Sequence, residues 1–337
     1  MKIAIHYNDE GFAPRWIAYC EKKGYEYKLV NAYDSDIIQK IADCDAFMWH
    51  WCQADYRSLL FAKQLLFAVQ LSGIKTFPDF NTVWHYDDKV AQKYLFESQN
   101  IPLVPSYVFY TKKEALDWIK GTSFPKVFKL RGGAGASNVW LCRDAHHAKR
   151  LAKKAFTSGF TQFDRKGYLK ERFHKFLHGR DTIVGVMKGI ARLFIPTTLA
   201  KMYHREKGYM YFQDFIPNNT YDIRVCIVQN KAFAIKRLCR EGDFRASGSG
   251  RLIYDKDQID ERCIEVAFEA NRAIKAQSIA FDFVFDENDR PLIVEISYAY
   301  SVGAYDSCEG YWDENLKWHQ GNNFDFCGWM VESVLNS

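Results

Sequence analysis

Residues 278–301, SIAFDFVFDENDRPLIVEISYAYS, constrain this chain more than any other stretch. Ile279, Phe281, Phe283 and Phe285 alternate with Ala280, Asp282, Val284 and Asp286. A polar turn, Glu287-Asn288-Asp289-Arg290-Pro291, follows, and then Leu292, Val294 and Ile296 alternate with Ile293, Glu295 and Ser297. A period of two on both sides of a turn predicts a β-hairpin. Two acids, Asp282 and Glu295, fall inside its apolar strands. A buried carboxylate needs a cation, a set of hydrogen bonds or a raised pKa. In a hairpin centred on this turn the two lie close together, and paired carboxylates suit a divalent metal bound through oxygen. The alternative is that each acid pairs with a core Arg or Lys. The origin of both acids in one hairpin favours the metal.

The chain around the hairpin is long enough, at 337 residues, for two or three domains and a large core. Its net charge of +5 argues against nucleic acid as the main partner, while leaving room for a local basic patch that takes an anionic ligand. The nine cysteines are scattered, odd in number and never in a C-x-x-C pair, which fits a reduced, cytosolic protein best. The opening MKIAIHYNDEG reads as a strand and not as a signal peptide. No apolar run approaches membrane-spanning length, so membrane insertion is not expected. Oligomeric state is not legible.

Residues 1–80 alternate strand and helix, which predicts a small parallel sheet. Asp9-Glu10-Gly11 follows the first strand, at the edge where ligands of such sheets bind. A helix is expected over residues 87–99, with Val90, Ala91, Tyr94, Leu95 and Phe96 on its apolar face and Lys89 and Lys93 beside it. Next comes a strand carrying Lys129, followed by Arg131-Gly132-Gly133-Ala134-Gly135-Ala136-Ser137-Asn138 and a returning strand, 139–142. Small residues let backbone N–H groups close over phosphate oxygens. There is no G-K-[ST], and strand rather than helix follows, so a hairpin lid over a nucleotide fits better than a Walker loop. A plain glycine turn is the alternative.

The run of Lys, Arg and His from Lys166 to Lys207 is either a solvated face or a surface for an acidic acceptor. From residue 208 the pattern is strand. Arg224, Arg237 and Arg245 sit in or beside these strands, where phosphate or a substrate carboxylate would satisfy them. Salt bridges to Asp222, Glu241 and Asp243 would do the same.

The order of these pieces resembles the ATP-grasp superfamily, within it the ribosomal-protein glutamate ligases and glutathione-synthase-like enzymes. The resemblance runs from about residue 80 to about 300 and is strongest over 211–297. It rests on the lysine before the glycine loop, on Gln213-Asp214-Phe215-Ile216-Pro217, on Asp222-Ile223-Arg224, on the FRASGSG turn, and on the Asp-then-Glu hairpin. It implies an α/β fold with α+β character in its C-terminal half. A βα pre-ATP-grasp domain would occupy 1–80, a central region with the nucleotide lid 81–210, and the metal and phosphate subdomain 211–337. It further implies that Lys89 and Lys129, with Gly132, Gly133, Gly135, Ala136 and Ser137, contact ATP. Gln213, Asp214, Phe215 and Ile216 would form the hinge that reads adenine, and Asp222 would face ribose or that hinge. Arg224, Arg237 and Arg245 would be the catalytic arginines, facing phosphates or substrate. Asp282, Glu295 and Ser297 would hold Mg²⁺. The family commonly has Asn where Ser297 stands, and a hydroxyl is a poorer ligand than an amide oxygen, so one or two ions are implied.

The chemistry implied is ATP-dependent ligation of a small-molecule carboxylate to an amine through an acylphosphate, with no covalent enzyme nucleophile. The acceptor classes left open are a peptide, a protein and a uronic-acid glycan. A non-catalytic ATP-binding module on the same fold is the alternative function.

Overall fold

A computed structural model describes residues 1–133, 138–161, 168–169, 172–173, 176, 182–195, 202, 205–240, 243–246, 248, 250–321 and 324–336. It divides into two compact units: Met1–Cys52, Arg57–Val104 and Ile216–Ser337 form the first, and Gln53–Tyr56 with Pro105–Phe215 the second.

The N-terminal sheet of the first unit is parallel, as the βα alternation predicts. Its strands β1 (Lys2–His6), β2 (Glu26–Val30), β3 (Ala46–Met48) and β4 (Lys75–Phe77) run in the order β2-β1-β3-β4. Helices α1 (Ala13–Lys23), α2 (Ile37–Ile41) and α3 (Tyr56–Leu71) connect them. Gly24 ends α1 in the left-handed region at φ 71°, which a residue with a side chain enters at a cost. A short α4 (Phe80–Val83) and α5 (Lys89–Ser98) follow, and the Asp88 carboxylate caps α5 by accepting from the Val90 and Ala91 amides.

In the second unit, β5 (Ser106–Phe109), α6 (Lys112–Gly121), β6 (Lys126–Lys129), β7 (Val139–Cys142), α7 (Ala145–Ala155), α8 (Ile183–Phe194) and β8 (Met210–Asp214) follow in order. The four strands make an antiparallel sheet, β5-β8-β6-β7. Phe128, Met210 and Phe212 on one face pack with Ala115, Ile119, Ala148 and Ala152 of α6 and α7.

The large sheet of the first unit comprises β9 (Tyr221–Val228), β10 (Lys231–Leu238), β11 (Leu252–Ile253), β12 (Ser278–Phe285), β13 (Pro291–Ser297), β14 (Gly310–Asp313) and β15 (Trp318–Gln320). Its order is β13-β12-β9-β10-β14-β15, with β11 beside β10. Helix α9 spans Glu261–Ile274. Strands β14 and β15 lie in a Gly-, Trp- and Tyr-rich stretch. Helix α10 (Phe326–Leu335) closes the chain.

The two faces of this sheet have different cover. Ile223, Val225, Ile227, Phe281, Phe283, Ile293 and Ile296 share one core with Cys263, Ile264, Ala267 and Phe268 of α9. Cys226, Val228, Phe233, Ile235 and Ala280 share the other with Ile3, Ile5, Trp16, Met330 and Val331, tying the N-terminal sheet, α1 and α10 to the same scaffold. No helix among the described residues is long and apolar enough to cross a membrane, and all nine cysteines are free thiols.

Candidate functional site

The hairpin forms as its periodicity predicts. The Asp286 carboxylate organises the turn by accepting from the Asn288 and Arg290 amides, and Asp289 takes a positive φ of 57°. The register puts Asp282 opposite Glu295 and Ala280 opposite Ser297. Between them the regular alternation breaks. Phe283 pairs with Ile293, so Val294 is an extra residue and β13 carries a β-bulge. The bulge explains why Ile293 and Ile296, three apart, both reach the α9 core, where strict alternation would send them to opposite faces.

On the opposite face the apolar cover stops short of one end, and a charged row crosses three strands there, β12, β9 and β10. Asp282 of β12 lies opposite Arg224 of β9, and Asp222 of β9 lies opposite Arg237 of β10. Arg224 Nε and Nη2 donate to the two oxygens of Asp282 at 2.5 and 2.6 Å. Arg237 donates to both oxygens of Asp222 at 2.6 Å and also reaches Asp282 Oδ2 at 2.9 Å. Burial alone would raise the Asp282 carboxyl pKa, but the two guanidinium groups hold it well below the usual carboxylate range. The arginines expected at phosphates or substrate are thus held by carboxylates, Asp222 among those weighed as alternatives. Arg245 pairs with its neighbour Asp243 at 2.7 Å. Glu241 lies outside the described residues.

Glu295 is more open, its side chain 30% exposed, and its ion pair is with Lys89 Nζ at 3.7 Å. The Ser297 hydroxyl donates to the Ala299 carbonyl at 3.2 Å, which leaves its oxygen lone pairs unspent. Among the described residues no group of three or more His, Cys, Asp or Glu gathers as a metal cage. The donors at hand are carboxylate and hydroxyl oxygens, without thiol or imidazole. That chemistry fits a hard cation such as Mg²⁺ and not a soft one.

Lys89 reaches this place from α5, and here the expected helix face is corrected. The buried residues of α5 are Lys89, Gln92, Lys93 and Phe96, while Tyr94 is exposed. This i, i+3, i+4, i+7 stripe faces inward with partners there for two of its polar heads, Glu295 for Lys89 and backbone for Gln92, while Lys93 pairs with Glu97 one turn along the same helix. Sequence reasoning missed Gln92. The available signal was a glutamine one helical turn after Lys89.

The second unit brings its own polar set together. Lys129 Nζ donates to Gln213 Oε1 at 2.5 Å, and Gln213 Nε2 and the Tyr211 hydroxyl both bond the Ser106 hydroxyl. Lys129, Gln213 and Ser106 are all buried, on the sheet face away from α6 and α7. Asp214 points to the opposite face, where it pairs with Lys126 at 2.6 Å. Phe215 and Ile216 mark where the chain passes from the second unit to the first. Gly132 and Gly133 begin the glycine loop, and Gly133 takes a φ of 114° that favours glycine. Gly135, Ala136 and Ser137 lie outside the described residues, as do Lys166, Lys170 and several others of the basic run.

Comparison with known proteins identifies the fold. Residues 196–308 match the family model described as a RimK-like ATP-grasp domain. The RimK domain protein ATP-grasp from Sphaerobacter thermophilus superposes over 99% of this chain and 100% of its own, with a TM-score of 0.58 at 14% identity. D-alanine–D-alanine ligase from Bacillus anthracis, solved with ATP, matches over 100% of this chain and 97% of its own, with a TM-score of 0.58 at 12% identity. The biotin carboxylase domain of the Hydrogenobacter thermophilus 2-oxoglutarate carboxylase, solved with MgADP, covers 100% of this chain with 70% of its own, at TM-score 0.60 and 14% identity. A search of curated proteins returned no match.

Proposed function

We propose that this chain, which has the ATP-grasp fold, is an ATP-dependent ligase that joins a small-molecule carboxylate to an amine. The observation that carries the reading is the charged row Asp222–Arg237–Asp282–Arg224 with Glu295 at its open end, on one face of the large sheet. In this reading Lys129 and Gln213 of the second unit, with Gly132 and Gly133, bind the nucleotide, and Phe215 and Ile216 form its hinge. Lys89, Arg224, Arg237 and Arg245 neutralise charge on phosphates and substrate. Asp282, Glu295 and Ser297 would hold Mg²⁺, which when bound supplies charge neutralisation to the transferring phosphoryl group.

The row supports this role because its cations are preorganised. Each guanidinium is fixed by a two-pronged carboxylate pair and cannot swing away, so it meets developing negative charge without first reorganising. Burial keeps bulk water from screening it. Transfer of the γ-phosphoryl of ATP to the carboxylate would give an acylphosphate and ADP. Attack by the amine nitrogen on the acyl carbon then forms the amide and expels phosphate.

A non-catalytic ATP-binding module is the second reading, and Ser297 at the place of an Asn ligand favours it. ADP release separates the two. Purified protein with Mg²⁺ and ATP should release ADP with at least one acid–amine pair from a panel of amino acids, peptides and uronates. Failure with a broad panel, alongside measurable ATP binding, would leave the second reading.

A further inference from the structure

We infer that Gln92 is a positioning residue for the metal-binding strand, acting through the backbone of β13; this rests on the reading of Glu295 and Ser297 as metal ligands. β13 is the edge of the large sheet, and an edge strand presents unpaired N–H and C=O groups. The Gln92 side chain closes one such pair as a missing strand would. Its Oε1 accepts from the Ile296 N–H at 3.2 Å and its Nε2 donates to the Ile296 C=O at 2.9 Å. The same Nε2 lies 3.3 Å from the His85 carbonyl, and the residue is only 5% exposed. The second clamp on this edge is at Ile293, whose N–H donates to the Pro102 carbonyl and whose C=O accepts from the Val104 N–H, both at 3.0 Å.

The spacing of the two clamps carries the argument. Outward-facing peptide groups of a regular antiparallel edge strand recur every second residue. Here they are pinned at Ile293 and Ile296, three apart, which requires the extra residue at Val294. Without the clamp at Ile296, continuing the pairing of Phe283 with Ile293 in regular alternation would set Val294 opposite Asp282. Glu295 would then turn to the apolar α9 face, since a one-residue slip reverses every side chain beyond it. Gln92 therefore holds the bulge in place and keeps Glu295 and Ser297 on the face of Asp282. The same helix delivers Lys89 to Glu295, so α5 sets both the direction and the charge of that carboxylate.

The test uses the full chain, Mn²⁺ as the probe and a non-hydrolysable ATP analogue, with free Mn²⁺ read by electron paramagnetic resonance. Gln92→Leu removes both backbone bonds and should weaken Mn²⁺ binding by about tenfold or more, the usual cost of losing a group that orients a ligand. Gln92→Glu keeps an acceptor for the Ile296 N–H but loses the donor, and should weaken binding as well; it carries the test if the leucine variant does not fold. Amide exchange of peptide 292–297 should quicken in both variants, a local effect that a general loss of stability would not confine to β13. The Glu295→Gln variant separates two kinds of failure. Unchanged Mn²⁺ binding in Glu295→Gln overturns the metal reading itself. Weakened binding in Glu295→Gln together with unchanged binding in both Gln92 variants overturns the positioning role alone.

Discussion

Arg224 and Asp282 face each other across β9 and β12, joined by two hydrogen bonds of 2.5 and 2.6 Å. Asp282 is 4% exposed and is shared with Arg237. A buried pair of this kind costs most when one member is removed, because the other keeps its charge without compensation.

Asp282→Asn should therefore lower stability by roughly 3–5 kcal/mol, the cost of breaking a buried ion pair. Urea unfolding checks this. A loss within the range of an ordinary surface change would mean that water reaches the arginines.

Glu295→Gln should behave differently. Glu295 is partly open and its ion pair with Lys89 spans 3.7 Å, so little stability depends on it. Its thermal midpoint should stay close to that of the parent chain. ADP release should fall by roughly two orders of magnitude or more, as on removal of one preorganised electrostatic group. Retained turnover would sink the metal assignment.

Lys129 is buried against Gln213 in the second unit. Lys129→Met keeps the stem and removes the charge. Half-saturation for ATP should rise roughly tenfold to a hundredfold, the worth of one charge-assisted hydrogen bond. An unchanged ATP requirement would remove Lys129 from the nucleotide site.

Acid should destabilise the first unit through two histidines. Burial pushes both His50 and His85 down to about 4. The His50 Nδ1 accepts from the Phe12 amide, and among the described residues neither His50 Nε2 nor His85 Nδ1 has a hydrogen-bond partner. Both rings are neutral in the folded chain until the pH nears 4, whereas the unfolded chain takes up protons below its ordinary value of about 6.5. The unfolded state thus binds more protons between these limits, and stability falls as pH drops through that window, by about 1.4 kcal/mol per unit for each histidine. Urea midpoints stepped from neutral pH down to about 4.5 measure the slope. A flat profile in the parent chain would show that the imidazoles reach water when folded.

Much of the architecture was legible because it rests on local periodicity. The βα alternation of residues 1–80 and the 278–297 hairpin, with Asp282 and Glu295 close together in it, follow from side-chain spacing and turn chemistry. The ATP-grasp resemblance likewise depended on the order of motifs along the chain. Helix α5 shows where that logic fails. Its inward stripe of Lys89, Gln92, Lys93 and Phe96 looks solvated to any hydropathy count, because the partners of Lys89 and Gln92 come from elsewhere, Glu295 and Ile296 about two hundred residues away in sequence.

The partners of Arg224 and Arg237 belong to the same class. Sequence alone determined that these acids and arginines lie within strands, since strand period sets which residues can lie on one face. It left open whether each arginine meets an anionic ligand or a carboxylate of the chain, because that depends on strand order. Only the tertiary structure, by setting β9 between β12 and β10, paired Arg224 with Asp282 and Arg237 with both Asp282 and Asp222. The bulge at Val294 was also beyond reach, since it answers to hydrogen bonds from Gln92 and from Pro102 and Val104 and not to any spacing within the hairpin. Period is a property of the chain, while charge compensation and edge pairing are properties of neighbours that only folding brings together.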